Sequence, residues 1–70
     1  MMQRQTVVSS NIKSIGYDGA AGILEVEFFS GVYQYHSVPE PVFSAFLSAA
    51  SHGRYFAQVV KDRYSYTRVR

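Results

Sequence analysis

The chain has 70 residues and no cysteine, no tryptophan, two prolines and two histidines. Without cysteine there is neither a disulfide framework nor a thiolate zinc site, and the composition suits a reducing compartment. His36 and His52 fall in different stretches. A site pairing His36 with Glu25 or Glu27 is geometrically possible on the open face, but a surface histidine is the better reading given the ligand sets metals need, and no metal is expected. No segment approaches the ~20 consecutive apolar residues of a membrane span. Residues 1–10, MMQRQTVVSS, lack the apolar stretch of a secretion signal, so the expected location is the cytoplasm. Ser, His and Asp all occur, yet no spacing links them as nucleophile, base and orienting group. Glu25 and Glu27 share a strand face but read as solvated carboxylates rather than an acid–base pair. The expectation is a non-enzyme with no cofactor.

What is present is apolar and aromatic. Hydrophobic residues make up 47% of the chain, with six tyrosines and five phenylalanines, which is too much for disorder and enough for one small core. Every large side chain counts, because a domain this short buries only about 60% of the surface its unfolded chain exposes. Residues 1–10 are polar and aperiodic and are expected to form a flexible segment ahead of a single domain over 11–70.

The stretch with the strongest pattern is GILEVEFFSGVYQYHSVP, residues 22–39. Leu24, Val26 and Phe28 alternate with Glu25, Glu27 and Phe29, as a half-buried strand does. Ser30-Gly31 is expected as a two-residue hairpin turn, with Gly supplying the permissive backbone. That loop would set Phe28 opposite Tyr33, Val26 opposite Tyr35 and Phe29 opposite Val32. Tyr33 and Tyr35 then join Leu24, Val26 and Phe28 on the covered face, while Glu25, Glu27, Gln34 and His36 take the solvated one. Phe29 and Val32, with Ile12 beside them, would leave an apolar patch on that open face.

Residues 12–18 read as an earlier strand, weakened by Gly16, and Asp18-Gly19 as a turn with positive φ. Pro39 and Pro41 stop the sheet, and Pro41 suits a first helical turn. Val42, Phe43, Phe46, Leu47 and Ala50 form one apolar stripe, giving a helix over about 40–49. Ser51 is placed to cap a second helix with Tyr55, Phe56, Val59 and Val60 inward and Arg54, Lys61 and Arg63 outward. The tail from Tyr64 alternates enough for a short extra strand. The expected fold is α+β: a three-stranded antiparallel sheet, β-β-β-α-α, with two short helices on one face. Its core motif is Tyr33, Tyr35, Leu24, Val26, Phe28, Phe46 and Phe56.

Charge is unevenly distributed. Residues 1–51 carry Arg4 and Lys13 against Asp18, Glu25, Glu27 and Glu40, a net of −2. Residues 52–70 carry Arg54, Lys61, Arg63, Arg68 and Arg70 against Asp62, a net of +4. Basic residues interleaved with Tyr55, Tyr64 and Tyr66 combine phosphate neutralisation with base stacking. Arg54, Lys61, Arg63, Tyr66, Arg68 and Arg70 are therefore the candidate nucleic-acid site, with RNA as the expected partner. The alternative is a protein partner or a second copy, held on the exposed sheet face or an edge strand.

Ile15-Gly16-Tyr17-Asp18, Leu24-Glu25-Val26-Glu27-Phe28, Gly31-Val32-Tyr33-Gln34-Tyr35, Val38-Pro39 and Ser51-His52-Gly53-Arg54-Tyr55-Phe56 occur in this order. Together they resemble the KTSC domain over roughly residues 9–66. That family takes its name from a C-terminal extension of some lysyl-tRNA synthetases and also occurs as a stand-alone bacterial protein. The resemblance implies a small domain of uncharacterised role, with RNA binding suggested by the synthetase context.

Overall fold

The computed structural model describes residues 4–70. Five strands, β1 (Arg4–Thr6), β2 (Ile12–Asp18), β3 (Ile23–Phe28), β4 (Gly31–Tyr35) and β5 (Tyr66–Arg68), form one antiparallel sheet in the order β1-β2-β3-β4-β5. Between β4 and β5 the chain forms α1 (Glu40–Ser48) and α2 (His52–Tyr55). A π-helical stretch, Phe56–Val60, continues α2. The fold is α+β as expected, but the sheet has five strands instead of three. Each extra strand is three residues long and belongs to a stretch whose sequence is polar or only briefly alternating. Such strands are stabilised by the ladder they join and not by their own pattern. β1 pairs with β2 inside the stretch expected to be flexible, setting Arg4 against Gly16 and Thr6 against Ser14.

The central hairpin differs from its expected register by two residues. Phe28 faces Gly31, Val26 faces Tyr33 and Leu24 faces Tyr35, so the turn residues are Phe29 and Ser30. A two-residue shift preserves the face of every side chain, and Tyr33 and Tyr35 do share the face of Leu24, Val26 and Phe28. Gly31 is not needed for positive φ. It is needed for space, because a Cβ there would collide with the Arg70 carbonyl oxygen and crowd the Arg68 guanidinium.

Positive φ occurs elsewhere. At the end of the β2–β3 loop it falls on Gly22 (φ 68°), not on Gly19. The Asp18 carboxylate accepts from the Ala20 and Ala21 amides, and the Gly22 amide closes the loop onto the Asp18 carbonyl at 2.8 Å. Ser37 is also left-handed (φ 58°), turning the chain so that the Val38 amide donates to the Gly22 carbonyl at 2.8 Å.

A bulge between Ile12 and Ser14 offsets the pairing of β2 with β3. The extra residue puts Ile12, opposite Phe28, on the same covered face as Ile15 and Tyr17. Ile12 is therefore a core residue, 1% exposed, and not part of an open apolar patch. Val32 is likewise buried, leaving Phe29 as the one exposed member of that trio, at 66%.

Phe46 is wholly buried at the centre of the helix layer with Val60, against Ile15, Leu24, Val26, Tyr35 and Val38 of the sheet side. The Tyr55 and Phe56 rings pack on Phe46 at 5.4 and 6.4 Å. Tyr17 stacks on Phe43 at 5.0 Å and donates its hydroxyl to the Val38 carbonyl, locking α1 to β2. Pro41 takes the second position of α1, where its missing amide costs nothing, and α1 ends at Ser48. The Ser51 hydroxyl accepts from the Arg54 amide at 3.2 Å, capping α2.

Candidate functional site

The helices do not cover the whole inner face of the sheet. Beyond Phe56, the β4–β5 corner stays open as an aromatic cleft of about 310 Å³ lined by Phe28, Tyr33, Tyr35, Phe56 and Tyr66. Strand pairing builds it. Tyr66 lies opposite Tyr35, and Arg68 opposite Tyr33, so both emerge on the covered-face side of β5. Phe28 meets Tyr33 and Phe56 edge-on at 5.7 and 5.1 Å, and Phe56 meets Tyr35 edge-on at 5.5 Å. These edge-to-face contacts fix the relative orientation of the neighbouring rings along the cleft. Tyr66 stands 5.6 Å from Tyr33 and 5.5 Å from Tyr35, and is 57% exposed. It is the one large aromatic of the cleft presenting most of its surface to solvent.

Polar groups rim the cleft. Lys61, Asp62 and Ser30 line it directly. The Lys61 amide bonds the Phe56 carbonyl at 2.9 Å, the closing contact of the π-helical stretch. That wide turn brings Phe56 and Lys61 to the same opening, in line with the frequent siting of π turns at functional sites. The Arg68 guanidinium lies 5.7 Å from the Tyr33 ring centre and donates to the Ser30 and Arg70 carbonyls, at 3.0 Å each. Two of its five N–H groups are thus used, and the guanidinium is held at the rim. Burial pushes the Tyr35 hydroxyl up to about 12 from 10, with Tyr66 and Tyr33 adding to the rise, so it stays a neutral donor across the physiological range.

Of the six expected site residues, Lys61, Tyr66 and Arg68 surround this cleft. Arg54 is exposed on α2, and Arg63 is exposed in the turn after the π-helical stretch. Neither lines the cleft. Arg70 closes the ladder through its backbone, its carbonyl accepting from the Val32 amide at 2.9 Å, and its charge acts on Glu27 of the opposite face. Tyr55, grouped with the basic residues by sequence, is structural: its hydroxyl donates to the Val42 carbonyl at 3.1 Å, and burial raises its pKa. Tyr33, assigned to the core, is half-buried and forms a cleft wall. Sequence reasoning overlooked Phe28, Ser30 and Asp62 as members of the site. The readable signal was the i, i+2 spacing of Tyr66 and Arg68, which puts both on one face of a strand.

The opposite face carries a polar lattice. Arg4 pairs with Glu25 at 3.3 Å and Glu27 at 3.9 Å, Lys13 with Glu27 at 3.9 Å, and Gln34 donates to Glu25 at 2.8 Å. The Ser14 hydroxyl donates to Glu27 at 2.8 Å and, with Arg4 and Lys13 nearby, holds its carboxyl below the usual carboxylate value. Lys13 also lies 5.7 Å over the exposed Phe29 ring. These carboxylates are matched by cations on this face. No cluster of three or more metal-ligating residues occurs among the described residues. Among the described residues, no helix is long and apolar enough to cross a membrane.

A small meander sheet with two helices on one face, and the ordered Tyr-x-Tyr, Val-Pro and Ser-His-Gly-Arg-Tyr-Phe segments, define the class. The KTSC domain model matches residues 8–64, and the chain belongs to the KTSC domain family. It is 45% identical to a KTSC domain protein from Yersinia pestis of known crystal structure, with a TM-score of 0.97 and full coverage of both chains. It is 49% identical over 70 residues to an uncharacterized protein of Stutzerimonas stutzeri (strain A1501), covering 97% of this chain and 99% of the relative. A protein of Tsukamurella paurometabola is 44% identical over 61 residues, covering 86% of this chain and 91% of its own length.

Proposed function

We propose that this protein is a small non-enzymatic module that binds single-stranded RNA in the aromatic cleft between β4, β5 and the π-helical stretch. One observation carries the reading: an exposed tyrosine, Tyr66, sits in an aromatic cleft flanked by Lys61 and Arg68. Single-strand binders combine a stacking ring with cations that follow the backbone. Here Tyr66 offers the stacking face, Tyr33 and Phe56 close the sides, and Lys61 and Arg68 neutralise phosphates on either flank. A base in an unpaired strand can be splayed into such a cleft, whereas a base inside a duplex cannot.

The test is an amide chemical-shift titration with a mixed-sequence single-stranded hexaribonucleotide at low salt. Shifts are expected at Tyr33, Phe56, Lys61, Tyr66 and Arg68, and not at Glu25 or Glu27. Tyr66→Ala should weaken binding about tenfold, since a base stack is worth ~1–3 kcal/mol. A cleft whose amides stay unmoved at millimolar RNA would sink the reading.

A second reading, docking of a protein partner on the other sheet face, is supported by the exposed Phe29 beside a depression of about 550 Å³ lined also by Val7 and Arg4. Repeating the titration with a candidate protein partner in place of RNA separates the two, because docking on that face would shift Lys13, Ser14 and Phe29 and leave the cleft amides unmoved.

A further inference from the structure

Lys61 and Asp62 are consecutive, and both line the cleft. The Asp62 carboxylate has no hydrogen bond or ion pair among the described residues, although the protein carries a surplus of cations. A free carboxylate is out of place in a site that only attracts phosphate, because it repels the backbone it is meant to hold. It fits a site that reads a base edge.

The four bases differ in what their pairing edges offer to a carboxylate beside an ammonium. A carboxylate is acceptor-only, with two oxygens able to take two parallel N–H donors. Guanine alone places two donors side by side, the ring N1–H and the exocyclic N2 amine, with the O6 acceptor next to them. Cytosine and adenine each present one exocyclic amine beside a ring-nitrogen acceptor, and uracil one N3–H between two carbonyls. Only guanine therefore engages both Asp62 oxygens while giving Lys61 a carbonyl oxygen to donate to. The volume of about 310 Å³ exceeds what a single base occupies, so a purine stacked on Tyr66 can be accommodated. Ser30, which also lines the opening, adds a hydroxyl for the ribose or a phosphate.

We infer that the cleft is a guanine-selective subsite, in which Asp62 accepts from guanine N1–H and N2–H and Lys61 donates to O6. The inference rests on the RNA-binding reading of the same cleft and adds the base it selects.

The experiment measures the affinity of the full chain for four single-stranded hexaribonucleotides, an all-uridine strand and three with one central guanosine, adenosine or cytidine. The guanosine strand is expected to bind about tenfold tighter than the all-uridine strand, the discrimination a good bidentate base contact provides. Asp62→Asn, which keeps size but offers one acceptor and one donor, should abolish that preference. It should raise affinity for the all-uridine strand, because a negative charge that repels the backbone is removed. Equal affinity for all four strands, or a guanosine preference that survives in Asp62→Asn, overturns the inference while leaving RNA binding standing. Absence of binding to every strand overturns the RNA reading and the guanine inference together.

Discussion

Tyr35 illustrates how one side chain can serve both fold and site. Its ring is 5% exposed, paired opposite Leu24 and packed edge-on against Phe56, yet it also forms the floor of the cleft. Its hydroxyl, pushed up to about 12 by burial, ionises later in the folded protein than near 10 in the unfolded chain. A raised folded value means that the stabilisation is complete below pH 10 and lost as pH rises from about 10 to 12. Tyr55, raised for the same reason, acts in the same direction. Chemical denaturation across that window should show stability falling by an amount on the order of 1–2 kcal/mol for Tyr35, reduced from the full linkage value because solvent enters the cleft. Tyr35→Phe keeps the ring and removes the ionisation, so its alkaline decline should be shallower. An identical decline in both proteins would refute the assignment. The burial of Tyr35 was legible in the sequence, because side-chain alternation survives a register error of two. The half-exposure of Tyr33 was not, since it depends on where the helix layer stops.

At the scale of elements, β5 decides whether there is a site at all. It brings Tyr66 and Arg68 to the cleft and is held to β4 by the ladder and its flanking bonds, among them the Val32–Arg70 pair, the His36 amide to the Ser65 carbonyl at 2.9 Å, and His36 Nε2 beside the Thr67 hydroxyl at 3.0 Å. Close approach at Gly31 is what seats its end. Gly31→Ala should push the Arg70 carbonyl away at a cost of about 1–3 kcal/mol, typical of overpacking. Hydrogen exchange should then show the Val32, Val69 and Arg70 amides losing protection while β2 and β3 keep theirs. Retained protection in β5 would show that the end of the strand does not depend on this contact. The sequence marked Gly31 as special for a different reason, turn φ, because a glycine after Ser between two alternating runs reads as a hairpin signal. The two edge strands were legible only weakly, β5 as a short alternation and β1 not at all, since three-residue edge strands are specified by the neighbouring ladder. The bulge at Ile12 and Ser14 was invisible for the same reason: it is a property of pairing and not of composition.

Over the whole molecule, the charge asymmetry of the sequence resolves into faces. The acidic residues Glu25 and Glu27 are neutralised on the open face by Arg4, Lys13 and, through its field, Arg70, while Lys61 and Arg68 flank the cleft. Two cations at the site imply a modest salt dependence, with a slope of about −1.4 in log affinity against log salt for a single strand. Lys61→Gln should roughly halve that slope, to about −0.7, and weaken all sequences alike once guanosine is absent from the strand. Arg54→Gln, outside the cleft, should leave the slope as it is. Equal slopes for the wild-type chain and Lys61→Gln would place the phosphate contacts elsewhere.

The sequence alone determined the α+β class, the central hairpin, the capped second helix and the inward face of Tyr33 and Tyr35, because each rests on local periodicity or on a side chain bonding a few residues away. It also marked the C-terminal quarter as the basic one, since charge is a sum over residues. Only the tertiary structure decided that Phe28, Tyr33, Phe56, Lys61, Asp62 and Tyr66, spread over 39 positions from 28 to 66, line one opening. It did so through β5 returning to β4 across two helices, a pairing that depends on backbone partners far apart in the chain and on the space left open at Gly31.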